Sequence, residues 1–254
     1  MPADPTPTPP PFAEILAGVA DVEGWMSDDQ ARRLHDRARE LGPGTRIVEI
    51  GSFRGRSLIV LARSADPDVD IVSIDPHAGS DRGPQEIAAD QERGDDDHSV
   101  YEANLAVAGV RDRIRHVRKM SDDALADVEG EVDLLYVDGA HRFGPARADI
   151  VDWGDRVSGG GIMLIHDSFS SIGVTLALLT TLVTSGEWRY VGRSRSMAEY
   201  RRERLTGRER VGNALRQAAQ LPWFVRNVVI KVLLTANLAP LTRILGHRGT
   251  DWPY

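Results

Sequence analysis

The chain predicts an α/β fold: a doubly wound, mostly parallel seven-stranded sheet with an antiparallel edge, followed by C-terminal helices. Three observations carry this. Short apolar runs at 134–137 and 162–165 have the continuous character of strands buried on both faces. Such runs alternate with helix-length segments, the order that builds a parallel sheet. The last two candidate strands, 188–191 and 196–200, follow one another around a turn at Gly192, as an antiparallel pair does.

Bulk composition sets the limits. The chain has 254 residues, room for one large domain with an appendage, and 41% hydrophobic residues allow a substantial core. The absence of cysteine excludes disulfides, thiolate metal sites and thiol catalysis. The N-terminus lacks a basic start followed by an apolar run, so a cytoplasmic location is expected. Charge is uneven: from Arg193 onward there are 12 basic and 4 acidic residues, against 19 and 34 before it. An acidic body argues against nucleic acid as a partner. The basic tail suits a partner subunit, the body itself or an anionic surface.

Each element has its own local justification. Residues 1–11 hold six prolines and no core-forming run, so they read as a disordered arm. Residues 12–19 have the apolar spacing of a helix. Ser27-Asp-Asp-Gln30 has the form of a capping box, and its helix should run to about Leu41 and stop at Gly42-Pro43-Gly44. A strand at 46–50, a glycine turn and an apolar helix at 58–63 come next, then a second strand at 70–75. Residues 76–98 are polar, with Gly79, Gly83, Gly94 and the run Asp95-Asp96-Asp97. A connection this long reads as a lid, and its acidic run as solvated surface. A helix over 99–108 ends at Gly109, and 113–118 is the third strand. Ser121-Asp122-Asp123 should cap a short helix through 125–128.

After the strand at 134–137, residues 145–157 should form a helix with Trp153 on its buried face. Gly159-Gly160-Gly161 break the chain before the strand at 162–165. Another helix covers 170–184. Residues 208–246 form one or two helices, broken near Leu221-Pro222 and Ala239-Pro240. Val225, Val228, Val229, Val232 and Leu233 line one face, which Arg226 and Lys231 interrupt, so it is not a membrane span. Its expected role is packing on the body or on a second copy in a homodimer, with peripheral membrane contact as the alternative. The domain plan is an arm at 1–11, an α/β domain at 12–200 and a basic helical extension at 201–254.

Chemistry gathers at the strand ends. Gly51 and Gly55 allow close backbone approach, and the helix N-terminus behind them attracts an anion. The spacing Glu49-x-Gly51-x-x-x-Gly55 lacks the Gly-x-Gly-x-x-Gly of dinucleotide sites. Asp75, ending the second strand, can accept both hydroxyls of a ribose. Asp138 ends the strand at 134–137 with His141 three residues on, and His166-Asp167 ends its neighbour. Acid and imidazole groups thus meet in the crevice where such sheets bind ligands.

In order and spacing, Glu49-Ile-Gly51-Ser-Phe53-Arg-Gly55-Arg-Ser57, Asp75, Ser121-Asp122 and Asp138 resemble the class I S-adenosylmethionine-dependent methyltransferases. The likeness covers residues 27–200. It implies S-adenosylmethionine as cofactor, with Glu49, Gly51 and Gly55 in the binding turn and Ser57 at the methionine carboxylate. Phe53 lies where catechol O-methyltransferases carry a cofactor-contacting aromatic. Asp75 matches the ribose acid, and Ser121 with Asp122 the adenine edge. Asp138-Gly-Ala-His141 looks more like the macrolide-sugar O-methyltransferases, in which histidine is the catalytic base. That likeness implies a hydroxyl of a small-molecule sugar or oligosaccharide as acceptor. It also implies Mg²⁺ or another divalent cation on Asp138 and Asp167, with His166 standing where the family has an acid. The catechol pattern would instead pair Asp167 with Ser168. The architecture is similar, too, to actinobacterial mannoside 1-O-methyltransferases of methylmannose polysaccharide synthesis. A cation on the acceptor oxygen would favour alkoxide, and His141 would take the proton. Other readings stay open: His141 as a helix cap, Asp138 contacting only the cofactor amine in a metal-independent or catechol-type enzyme, a nucleotide-cofactor enzyme of different chemistry, or a non-catalytic nucleotide-binding module.

Overall fold

The structure, a computed structural model, describes residues 10–80 and 87–248. Seven strands form one sheet: β1 Arg46–Ile50, β2 Asp70–Ile74, β3 Ile114–Val117, β4 Val132–Val137, β5 Val157–Ile165, β6 Trp188–Ser194 and β7 Met197–Arg202. Their order is β3-β2-β1-β4-β5-β7-β6. The pairs from β3 to β5 are parallel, and β7 runs antiparallel to both β5 and β6. The winding direction reverses between β1 and β4, which opens the crevice at their carboxyl ends.

Strand alternation divides the core between the two faces of the sheet. On one face Ile47, Leu134 and Tyr136 pack under helices α1 Phe12–Gly18, α2 Asp28–Ala38, α3 Arg56–Ser64 and α4 Gln91–Val107. On the other, Val48, Ile50, Leu135 and Val137 pack under α5 Phe143–Ala148 and α6 Ile172–Thr181. Trp153 is 1% exposed in this second layer, on the buried face its spacing predicts. The capping box is present as read: Gln30 N–H donates to Ser27 Oγ, and Ser27 N–H donates to the Gln30 side chain.

Four local expectations are corrected. Helix α4 begins at Gln91, not at 99, with Asp90 as its N-cap. The acidic run therefore lies on a helix, where Asp97 is buried against Arg54 at 3.0 Å and Asp95 pairs with Arg118. Pairing with arginines offsets the mutual repulsion that makes such a run look like solvated loop. The connection read as a lid shrinks to 76–90, of which 81–86, including Gly83, lie outside the described residues. Past α5 the helix widens into a π turn, Asp149–Trp153, and closes with a 3₁₀ turn, Gly154–Arg156. Strand β5 then starts at Val157, so the three glycines lie inside it. They coincide with a register shift against β4, which glycine at φ +87° (Gly160) accommodates. The β6–β7 turn falls at Arg195-Ser196 rather than Gly192, which sits at an irregularity within β6.

The tail folds back on the sheet edge. Helix α7 Gly207–Ala218 starts with a second capping box, Thr206 and Glu209, and α8 Leu221–Thr235 carries Pro222 in its first turn. Buried Asn213 accepts from Tyr190 N–H at 2.8 Å and donates to the Trp188 carbonyl at 2.9 Å, so a side chain completes the edge of β6. The Tyr200 hydroxyl donates to Gln217 at 3.0 Å. Of the apolar face expected on α8, Val225, Val229 and Val232 are exposed, while Ile230 and Asn227 face inward. Among the described residues no helix is long and apolar enough to cross a membrane. The proline arm lies outside the described residues except for Pro10 and Pro11.

One close approach positions the site. Gly51 has φ +85°, and a Cβ there would stand 2.2 Å from the Asp138 carbonyl oxygen. Gly51→Ala should lower unfolding free energy by about 3 kcal/mol or more, since strain and a backbone clash add. Gly109→Ala, at φ +70° with nothing within 4 Å, should cost only about 1 kcal/mol. Urea denaturation of both variants tests this; equal losses would remove the contact as the cause.

Candidate active site

The turn after β1 is built by buried carboxylates. Asp75 is 1% exposed, and its oxygens accept N–H groups from Ser52 (2.8 Å), Phe53 (2.8 Å) and His77 (2.7 Å). Those three bonds hold Phe53 and His77 at positive φ, +45° and +44°. A carboxylate has about four acceptor positions, so Asp75 is largely occupied by the backbone it braces. Glu49 is fully buried and accepts the hydroxyls of Ser52 and Ser57, each at 2.6 Å. Burial pushes its carboxyl up to about 8, against the serine hydrogen bonds and with the help of Asp138 and Asp75. Ser57 is thus turned toward Glu49. Gly55, at φ +87°, precedes α3 and gives it no side-chain cap, leaving the first N–H groups of that helix for another acceptor. The Phe53 ring packs at 5.1 Å on Trp25, a neighbour that no sequence signal identified.

At the far edge, Ser121 bonds through its hydroxyl to Asp149, and Trp153 donates its indole N–H to the Ser121 carbonyl at 3.1 Å. The helix cap here is Asp122, accepting from Asp123 N–H, and not Ser121. Burial raises Asp149 to about 6, against the Ser121 bond. Asp149 was legible only as part of a helix.

The acid and imidazole groups meet. Asp138 lies 3.0 Å from His166 Nδ1, and accepts the Tyr136 hydroxyl at 2.8 Å. His141 Nε2 lies 2.7 Å from Asp167 Oδ2. His166 Nδ1 is 3.9 Å from that same oxygen, which joins the two pairs into one group. Asp167 sits at φ +54°, a strained value for a non-glycine residue, at the turn that aims its side chain. Ser168 does not join them: it is buried and donates to the Ile165 carbonyl. Val137, Ile165 and Val174 wall a small pocket beneath Asp138, His141 and His166.

Electrostatics follows from this packing. Burial disfavours a charged His166, but Asp138 and Asp167 outweigh it and push the ring up to about 9. For His141 burial is likewise outweighed, by the Asp167 hydrogen bond and by the charges of Asp167 and Asp138, and its pKa is raised. Burial alone would raise Asp167. Its bond to His141 and the charges of His166, His141 and Lys231 hold it well below the usual range. Lys231 reaches this group from α8, donating to the Ser170 carbonyl at 3.0 Å. Tyr136 and Lys231 were not among the candidates. The signal for Lys231 was its interruption of an apolar helix face.

Residues 48–168 match the family model described as "Methyltransferase domain". The match runs from β1 through the turn after β5, and so includes the glycine turn, Asp138, His141 and Asp167. Of the curated proteins, uncharacterized protein y4gI of Sinorhizobium fredii (strain NBRC 101917 / NGR234) is 28% identical over 130 residues, 48% of this chain. The match spans only 13% of that relative's length. A putative O-methyltransferase from Klebsiella pneumoniae superposes over 80% of this chain and 92% of that chain, with TM-score 0.55 and 15% identity. The O-methyltransferase from Bacillus cereus in complex with SAH does so over 76% and 90%, with TM-score 0.51 and 15% identity. These structural likenesses show the fold alone.

The raised His166 has a consequence for stability. Its folded value of about 9 exceeds the roughly 6.5 of an unfolded histidine. Its charge pairing therefore stabilises fully below about pH 6.5 and is lost as pH rises through about 9. Glu49 adds a fall of the same sign, so wild type must be compared with a variant. The melting temperature of wild type should drop between pH 6.5 and 9 by several degrees more than that of His166→Gln. Parallel curves would show that the ring is neutral at pH 7.

Proposed function

We propose that the chain is an S-adenosylmethionine-dependent O-methyltransferase acting on a hydroxyl of a sugar or glycoside, with His141 as general base. The observation that carries this is the 2.7 Å contact between His141 Nε2 and Asp167 Oδ2, beside the glycine turn of a methyltransferase domain. The sugar assignment is supported by the run Asp138-Gly-Ala-His141.

S-adenosylmethionine supplies a methyl group already activated on a sulfonium. The uncapped first turn of α3 suits its methionine carboxylate, and the Gly51–Gly55 backbone its close approach. Glu49 keeps Ser52 and Ser57 in place, Asp75 braces the turn and Phe53 with Trp25 walls it. Ser121 and Asp122 mark the adenine edge. Asp167 orients His141, and its charge raises the basicity of the ring. The acceptor hydroxyl gives its proton to His141 as its oxygen takes the methyl group. S-adenosylhomocysteine leaves as the carbon–sulfur bond breaks. Lys231 keeps Asp167 ionised, so the basic extension serves the site.

The donor set also fits a divalent cation. Asp138 and Asp167 flank His166, and Asp167 Oδ1 is buried with no hydrogen-bond partner among the described residues. Asp138, Asp167 and His166 would hold the ion, whose chemistry is to bind the acceptor oxygen and favour alkoxide. One imidazole beside two carboxylates suits manganese or zinc better than Mg²⁺. A second, metal-independent reading rests on the 3.0 Å Asp138–His166 pair: a protonated His166 already places a positive charge between the two carboxylates.

His141→Ala should lower kcat by roughly a hundredfold or more while S-adenosylhomocysteine affinity stays within about twofold, by calorimetry and labelled methyl transfer. Undiminished turnover would remove the base assignment. Because His141 must be neutral to accept a proton, kcat/KM should rise with pH through a value above about 6.5. Asp167→Asn should move that limb to lower pH while reducing the plateau. Stripping divalent ions should abolish turnover, and Mn²⁺ or Zn²⁺ should restore it better than Mg²⁺; full activity in chelator would leave only the metal-independent reading.

A further inference from the structure

On the opposite side of the glycine turn, three histidines from three elements face one another. His77 follows β2, His98 lies on α4 and His116 on β3. One ring nitrogen from each lies within 4.8 Å of the others. We propose that His77, His98 and His116 form a zinc site, separate from the acid–imidazole group and independent of the methyl-transfer reading.

Ring spacing supports it first. A tetrahedral zinc ion with nitrogens at roughly 2.0–2.1 Å sets its imidazole centres about 5.3 Å apart. The three rings here stand 5.0, 5.1 and 5.3 Å apart, centre to centre. The hydrogen bonds supply a second, independent support. His77 Nε2 lies 2.8 Å from the Phe53 carbonyl, which accepts only, so the proton is on Nε2 and the lone pair on Nδ1. That Nδ1 is buried with no hydrogen-bond partner among the described residues. His116 mirrors this: Nδ1 lies 3.2 Å from Ser73 Oγ, while Nε2 is buried and unpartnered. Metal-binding histidines are oriented in this way, with the far nitrogen bonded to the protein and the near one free. Two buried ring nitrogens without a hydrogen-bond partner are otherwise a cost.

His98 and His116 also stay unprotonated. Burial pushes His116 down to about 3, aided by the neighbouring histidines, and lowers His98 as well. Their lone pairs are thus available at neutral pH without displacing protons. Of the surrounding charges, Arg118 pairs with Asp95 and Arg111 with Glu102; Glu102 Oε1 also lies 3.6 Å from His98 Nε2, and Asp75 Oδ1 lies 3.6 Å from His77 Nδ1. His98 is half-buried, so water can take the fourth position.

The backbone holds this arrangement. A Cβ at Gly94 would stand 2.0 Å from the His77 carbonyl oxygen, so α4 packs directly on the 77–79 segment. His98 follows Gly94 by one helical turn and faces the same way. Zinc there would staple α4, β3 and the segment after β2, and through His77 it would fix the Phe53 carbonyl.

The test uses the full chain, stripped with a chelator and titrated with zinc chloride by calorimetry, with Co²⁺ absorption as the geometric readout. Wild type should bind zinc here with a tetrahedral cobalt spectrum. His98→Gln should weaken binding tenfold or more, and His98→Gln/His116→Gln should lose both one equivalent of zinc and the spectrum. His98 is at the surface, so that variant should fold, as circular dichroism can check. His166→Gln/Asp167→Asn should keep this equivalent, which separates it from the acid–imidazole group. Zinc stoichiometry and cobalt spectrum unchanged in the double histidine variant, or no uptake by wild type, would overturn the proposal.

Discussion

Gly51 passing under the Asp138 carbonyl is the constraint on which the rest of the structure depends. The Asp138 N–H donates to the Ile50 carbonyl at 2.8 Å, and the absent Cβ of Gly51 lets the two strand ends close to that distance. The glycine turn and the acid–imidazole group are therefore one unit. Any side chain at position 51 would separate the glycine turn from the strand end that carries Asp138. The sheet's reversal of winding between β1 and β4 makes the crevice, and this contact sets its width.

Around that contact the chain buries charge, which is stable only where it is balanced. Two carboxylates, two imidazoles and the Lys231 ammonium lie within one small volume, contributed by β4, β5, the 138–141 turn and the tail. No single pair accounts for it: Asp167 interacts with His141, His166 and Lys231 at once. A group coupled this way is poised rather than inert, because removing one member changes the protonation of the others. The same logic governs Glu49. It is sealed under the turn with two serine hydroxyls and holds a proton near neutrality, so it supports the loop without adding charge beside Asp75.

Much of this was legible where the determinants are local. The Ser27 capping box, the strand at 46–50 and the buried face of Trp153 follow from spacing within a few residues, and the structure has them. The mostly parallel sheet with its antiparallel edge follows from the alternation of strands and helices and the closing pair of strands. The start of α4 was not legible, because Gly94 and three consecutive aspartates argue for loop until Arg54 and Arg118 are seen to pair with them. The three glycines of β5 read as a break for a similar reason: only the pairings of Val157 and Ile162 with β4 on either side of them carry the strand through. Side-chain partners across the fold were least visible. The placement of Ser57 on Glu49, of Tyr136 on Asp138 and of Lys231 near Asp167 each requires the packed structure. His77, His98 and His116 are separated by about twenty residues at each step, and only the fold brings them together.

The C-terminal extension is tied to the sheet through Asn213 and Gln217 and supplies Lys231 to the acid–imidazole group, so the body and tail share one electrostatic centre. Everything here requires the glycine turn and the His141–Asp167 pair to flank a common ligand. A crystal structure of the chain with bound S-adenosylhomocysteine reads this directly. The expected density has the methionine carboxylate on the first turn of α3, the ribose near Asp75 and the sulfur toward His141. Density elsewhere on the molecule, or a sulfur turned away from His141, would contradict the account.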